Sequence, residues 1–131
     1  MVREIYVADS DEQAWAEAGI QVTRFWQLAT DNVWSHEPIS TDDLTRYTAR
    51  FAYFPGGLTT ERLDEWGVSL IGSHETVTRK ARAMLDAAQP DALIGMFSFG
   101  GLTHQQVTHS IELFAAHVMP ALAPDAVSAS R

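Results

Sequence analysis

The chain lacks residues and segments on which several classes of protein depend. It has no cysteine, which excludes disulfides, thiolate metal sites and cysteine nucleophiles. No apolar run approaches the roughly 20 residues needed to span a bilayer. Bases are scarce, with 9 lysines and arginines against 17 acids and a net charge of −8. Because nucleic acids and anionic lipids are bound by basic patches, this charge balance argues against both as partners.

The composition that remains is that of a folded protein. Of the 131 residues, 46% are hydrophobic and 20% are charged, which argues against disorder. The length predicts a single domain over residues 1–131 and falls well short of the roughly 250 residues of a closed (β/α) barrel. The first seven residues do not have the pattern of a secretory signal, so we expect a cytoplasmic protein.

Apolar patterning predicts three strand–helix units. Residues 1–29 form the first, with a strand at 4–8, a capping box from Ser10 to Gln13 and a helical stripe after it. Residues 67–120 form the last two, with strands at 68–71 and 92–99. Ser73 is placed to cap one following helix, and a capping box from Thr103 to Gln106 begins the other. Residues 121–131 are expected to fray.

Residues 30–66 interrupt this alternation. Prolines and glycines divide the segment, and short helices are predicted near residue 40 and from about residue 59 to Trp66. The segment is rich in aromatic residues, which suit either a lid over an apolar substrate or a partner interface. A small satellite core under a long loop explains them equally well. The residues concerned are Trp34, Tyr47, Phe51, Tyr53, Phe54 and Trp66.

The alternation of strands and helices predicts an α/β fold with three parallel strands and covering helices, joined by right-handed crossovers. Three strands cannot close a barrel, and outer strands leave backbone groups unpaired. We therefore expect the sheet to be completed by self-association or by a partner chain.

Few residues offer direct chemistry. The spacing of the histidines on the last helix does not match the i, i+3 or i, i+4 spacing of helical metal ligands, so no metal site is predicted. No nucleophile elbow surrounds a serine. The candidates for a ligand pocket are Gly72 and Ser73 after one strand and Phe99 and Gly100 after the next. Each also has a simpler explanation, as a helix cap, a tight turn or core packing. Phe97 and Phe99 are expected to face the same side of their strand.

Four segments together resemble the luciferase-like family of flavin-dependent monooxygenases. One begins at Ile5-Tyr-Val-Ala, a second contains Gly72-Ser-His-Glu-Thr-Val, and a third contains Phe97-Ser-Phe-Gly-Gly. The fourth is Ser110-Ile-Glu-Leu-Phe-Ala-Ala-His-Val-Met-Pro, and the order is that of the family. His74 departs from the pattern, since the family commonly has proline there.

The resemblance implies a partial TIM barrel consisting of the last three βα units. It also implies a cofactor, reduced FMN or a related flavin, bound mainly by a partner chain, because the part of the family that carries most of the flavin site has no counterpart here. No catalytic residue can be transferred to this chain. One hypothesis is therefore the C-terminal component of a monooxygenase that acts on a small molecule with a luciferase-like partner chain. The alternative is a non-catalytic, self-associating binding or regulatory module, or a truncated remnant.

Overall fold

The computed structural model describes residues 1–35 and 59–123. Its strands are β1 (Val2–Ala8), β2 (Ser69–Ser73) and β3 (Ile94–Met96). Its helices are α1 (Asp11–Ser35), α2 (Thr60–Glu65), α3 (His74–Ala88), α4 (His104–Leu113) and α5 (Met119–Leu122), with a π-helical turn at Phe114–Val118. The helix predicted near residue 40 and the tail beyond residue 123 lie outside the described residues.

The strands form one open parallel sheet in the order β2-β1-β3, which confirms the α/β fold with three parallel strands. The order places β1 in the centre. The crossover from β1 to β2 therefore runs in one direction and the crossover from β2 to β3 runs back past β1. Right-handed crossovers in opposite directions leave their helices on opposite faces of a sheet. Consecutive strands of a barrel would instead pair in sequence order, with all helices on the outer face.

Two hydrophobic clusters show that helices cover both faces. Side chains alternate along β1, so Tyr6 and Ala8 point to one face while Ile5 and Val7 point to the other. The first cluster packs Tyr6 and Ala8 against α1 and α2 and includes Leu63 and Phe99. The second packs Ile5 and Val7 against α3 and the C-terminal helices. We call these the α1-side cluster and the α3-side cluster.

Local sequence explains where the helices begin. The N–H of Gln13 donates to Ser10 Oγ at 3.1 Å, and Thr76 N–H donates to Ser73 Oγ at 3.3 Å. The Thr103–Gln106 capping box is complete in both directions. These caps satisfy backbone donors that the first turn of a helix leaves without partners. Helix α1 continues to Ser35, past residue 29, where the sequence pattern predicted its end.

The third strand differs from its prediction. It was expected over residues 92–99 with both faces covered, but it extends only from Ile94 to Met96, and Ile94 is 58% exposed. Beyond Met96 the alternation of a strand no longer applies. Phe97 packs into the α3-side cluster and Phe99 into the α1-side cluster, so the expectation that they share a face is wrong. Each ring packs against a different helix layer, which a continued strand would not allow.

Helix α4 replaces β3 along the second half of β1. Strand β3 pairs only with Val2 through Glu4. Further along, the N–H of Val7 donates to Ser110 Oγ at 2.8 Å, and both groups are buried. A helix side chain thus satisfies a backbone donor that a longer strand would have paired. Within the described ranges, 1–35 and 59–123, no helix is long and apolar enough to cross a membrane.

Candidate functional site

The carboxyl ends of the strands are the edge at which parallel α/β proteins bind ligands. At this edge a carboxylate from the first turn of α1 reaches the start of α3. Asp11 Oδ1 accepts from the N–H of Ser73 at 2.6 Å, and its Oδ2 accepts from Thr76 Oγ1 at 2.9 Å. The end of β2 and the first turn of α3 are therefore each held to the start of α1 by one hydrogen bond.

The electrostatics of Asp11 follow from these contacts. The backbone N–H of Ser73 holds the pKa of the Asp11 carboxyl below its usual range, and the Thr76 hydroxyl acts in the same direction. The carboxylate lies where a helix N-terminus would otherwise attract an anion. The structure thus places a negative charge of its own at this position.

Gly72 allows this close approach. Its φ is +155°, and an added Cβ would lie 2.7 Å from Thr76 Cγ2 and 2.8 Å from Asp11 Oδ1. Any larger residue would push β2 away from the two side chains that anchor α3. Gly72 is buried, and the space that a side chain would need is occupied by Thr76 and Asp11, which leaves no room there for a ligand.

The glycine turn after β3 also packs closely against another part of the chain, at Gln21 on α1. Gly100 has a φ of +59°, and a Cβ there would lie 2.7 Å from the carbonyl oxygen of Gln21 on α1. Gly101 N–H donates to Gln21 Oε1 at 2.7 Å. Phe99 is 4% exposed, and its ring lies 6.5 Å from that of Phe25. The glycine turn and Phe99 are therefore packed against α1, with no open space between them for a ligand.

The four candidate pocket residues therefore form two separate pairs. Gly72 and Ser73 contact Asp11, whereas Gly100 contacts Gln21, ten residues further along α1 or about 15 Å along its axis. The other predicted site residue in the described part, Trp66, is the C-terminal cap of α2 and is 46% exposed. Tyr47, Phe51, Tyr53, Phe54 and the side chain of Trp34 lie outside the described residues.

Sequence reasoning missed the polar partners at this edge. Asp11 was interpreted only as part of a capping segment, and Gln21 was not singled out. Asp9 was also missed, although its Oδ2 lies 3.2 Å from His109 Nε2 across the gap between β1 and α4. A signal existed: Asp9 and Asp11 directly follow the first strand, which places them at the carboxyl edge of the sheet.

Surface grooves lie on both sides of the part of the chain that the structure describes, and two of them are large. One, of about 660 Å³, lies between α3 and the C-terminal segment, where the rings of His74 and His117 stack with centroids 4.4 Å apart. Its charged lining mixes both signs, with Arg79 and Arg82 beside Glu75. The other, of about 500 Å³, lies between α1 and α2. Among the described residues no group of three or more histidine, aspartate or glutamate side chains is placed to hold a metal ion.

The residues at and after the strand ends do not fit a flavin phosphate. The N-terminus of α3 is occupied by the Asp11 carboxylate, which would repel an anion, and the Gly100 turn lies against Gln21 instead of facing open space. The chain also carries a net charge of −8. A flavin would need its main contacts from elsewhere.

Comparison with known proteins identifies the fold. No family model matches the sequence, and no curated protein does. Among solved structures, the chain is similar to the monooxygenase RslO1 from Streptomyces bottropensis, with a TM-score of 0.64 and 16% identity over 94% of this chain and 30% of that one. It is also similar to a type II Baeyer–Villiger monooxygenase, the oxygenating constituent of 3,6-diketocamphane monooxygenase from Pseudomonas putida, in complex with FMN. There the TM-score is 0.65 and the identity 19%, over 93% of this chain and 33% of that one.

The chain thus spans about a third of the length of these two neighbours. Its fold, an open sheet of three parallel strands with covering helices, matches part of these luciferase-like monooxygenases, although β1 lies between the other two strands.

Proposed function

We propose that this chain is the C-terminal component of a luciferase-like flavin-dependent monooxygenase and acts with a second chain that supplies the flavin site. The observation that carries the proposal is the asymmetric coverage: nearly all of this chain, but only 30% and 33% of the two monooxygenases, is shared. The FMN bound in one of those structures indicates the cofactor class.

The charges at the strand ends support this division of roles. A carboxylate at the N-terminus of α3 does not bind phosphate, so the phosphate contacts fall to the partner. This chain then contributes wall and scaffold, with the β2–α3 junction at Gly72 and Ser73 near the ligand. The aromatic residues of the 30–66 segment serve as a lid over an apolar substrate or as the partner contact.

Affinity capture of the tagged chain from its native extract, followed by mass spectrometry, identifies the partner. Reduced FMN, oxygen and candidate small substrates are then supplied to the partner alone, to this chain alone and to the mixture. We expect oxygen consumption coupled to substrate oxidation only in the mixture. Full activity of the partner without this chain would refute the proposal.

A non-catalytic, self-associating module is the second candidate. It is favoured by the apolar side chains of Ile94 and Val2, which are 58% and 53% exposed beside the β3 edge. This candidate predicts a cooperatively folded oligomer in the absence of flavin and of any other protein. Thermal unfolding followed by circular dichroism tests it, and a broad, non-cooperative transition would contradict it.

A further inference from the structure

The two edges of the sheet differ in their protection. At β2, Lys80 extends from α3 on one face to Asp64 and Trp15 on the other, with Nζ 5.4 Å from the centroid of the Trp15 ring. Its Nζ also donates to the carbonyl of Ile71 at 3.2 Å. The side chain must therefore pass around the edge of β2. A lysine in this position opposes the addition of another strand.

The edge at β3 has no comparable cover from the described residues. Residues 92–101 include no charged side chain, although the whole chain carries a net charge of −8. Ile94 is 58% exposed, and Val2, its register partner on β1, is 53% exposed. An uncharged edge beside exposed apolar side chains can pair with another strand, although β3 is only three residues long.

At this edge the N–H and C=O groups of Gly95 point away from β1, towards the free side of the sheet. The N–H of Ile94 donates to the carbonyl of Met1 at 2.8 Å, so Ile94 is bonded towards β1. Adjacent residues of a strand direct their N–H and C=O groups to opposite sides, which turns those of Gly95 to the free side. Two copies related by a two-fold axis at Gly95 would exchange both bonds, as the closely spaced pair of an antiparallel ladder does.

We propose that a second copy of this chain pairs antiparallel with the outer edge of β3, centred on Gly95, and joins two three-stranded sheets into one of six strands. Ile94 and Met96 share a face of the strand, and the two-fold axis places Ile94 of one copy beside Met96 of the other. The exposed side chain of Ile94 is thereby covered. A second copy is favoured as the occupant because a two-fold axis at Gly95 lets the same N–H and C=O groups bond to each other, and residues 92–101 include no charged side chain that would oppose this. This inference does not depend on the proposed function.

The absence of cysteine makes the register testable by disulfide formation. Ile94→Cys and Met96→Cys variants are mixed and oxidised mildly. Facing residues of an antiparallel pair come within the 4.4–6.8 Å between Cα atoms that a disulfide needs, whereas two copies of Cys at position 94 lie on a diagonal beyond it. We expect the mixed dimer to form much faster than either homodimer. Equal rates for all three would overturn the proposed register.

Sedimentation velocity from micromolar to submillimolar concentration tests the association itself. Ile94→Lys should raise the dimer dissociation constant by at least about tenfold, because it brings two lysines to the paired edge. Ile20→Lys is the matched control, since Ile20 is 65% exposed but lies on α1, and it should leave the constant unchanged. A wild-type monomer at every concentration, or equal effects of the two variants, would overturn the proposal. Heterodimers with a luciferase-like chain in place of self-pairing would also overturn it, whereas the oxygen-consumption assay bears separately on the proposed function.

Discussion

At the scale of single residues, Glu4 is the most unusual side chain in the described core. It is 4% exposed on the α1 side of β1 and accepts from Trp26 Nε1 at 3.3 Å. Its register partner Ser69 is fully buried, and the hydroxyl of Ser69 has no hydrogen-bond partner among the described residues. Burial raises the pKa of the Glu4 carboxyl, and the hydrogen bond from Trp26 opposes this only in part.

The raised pKa makes Glu4 a source of pH-dependent instability. The folded state binds the proton more tightly than the unfolded chain, whose glutamate titrates near 4.5. The contribution of Glu4 to folding is therefore most favourable below that pH and is lost as the pH rises through the folded-state pKa. Glu4→Gln removes the ionisable group and should therefore increase the free energy of unfolding at pH 7.

Urea unfolding followed by tryptophan fluorescence at pH 4 and pH 7 measures this effect. The stabilisation by Glu4→Gln should shrink at pH 4, where the wild-type carboxyl is protonated in the folded state. Glu112→Gln, at an exposed position on α4, is the control and should change stability little at either pH. An equal gain at both pH values would show that the effect is not one of ionisation.

At the scale of secondary-structure elements, the junction of β2 and α3 depends on Gly72. Gly72→Ala should lower the free energy of unfolding by about 2–3 kcal/mol, because it combines an unfavourable φ with contacts under 3 Å to Thr76 and Asp11. Gly67→Ala is the matched control: its φ is +61°, but no atom lies within 4 Å of the added Cβ. It should cost only about 1 kcal/mol, from the backbone alone. Similar losses for both variants in urea unfolding would show that φ, not the close packing, governs the junction.

The elements also show what the sequence could and could not predict. Strong local signals were sufficient for β1, for the caps at Ser73 and Thr103 and for the end of α2 at Trp66. The length of β3 was overestimated because an apolar run does not reveal that Phe97 and Phe99 turn to opposite layers. The strand order could not be predicted, because hydrophobic periodicity carries no information on which strands are neighbours.

The candidate site shows the same division. Position in the sequence placed Gly72, Ser73 and Gly100 at strand ends; Gly72 and Ser73 lie at the end of β2, whereas Gly100 lies in a turn four residues beyond the end of β3. It did not predict that Asp11 and Gln21 would occupy the space beside them. Both are side chains of α1, and their proximity depends on the crossover that places α1 on one face of the sheet. Long-range contacts of this kind follow from topology and not from spacing.

At the scale of the whole molecule, one thin sheet carries two hydrophobic clusters. Val22 on α1 is fully buried in the α1-side cluster, and Val77 on α3 is fully buried in the α3-side cluster. Adjacent residues of β1, such as Tyr6 and Val7, belong to different clusters but share one backbone and one ladder to β2. Disrupting either cluster removes packing that holds β1 in its register, and the other cluster depends on that register. The described fold should therefore unfold as a single cooperative unit.

Val22→Ala and Val77→Ala test this cooperativity, since each removes two buried methyl-sized groups from a different face. Each should lower the free energy of unfolding by about 2 kcal/mol. Because the clusters are coupled through β1, both variants should shift the same transition, observed by tryptophan fluorescence and by far-ultraviolet circular dichroism alike. The four tryptophans offer a sensitive probe of the α1 side, where Trp15 and Trp26 pack against the cluster. If Val77→Ala shifted the circular dichroism transition but left the fluorescence transition in place, the α3-side cluster would be a separate folding unit. The sheet would then connect the two layers without coupling them.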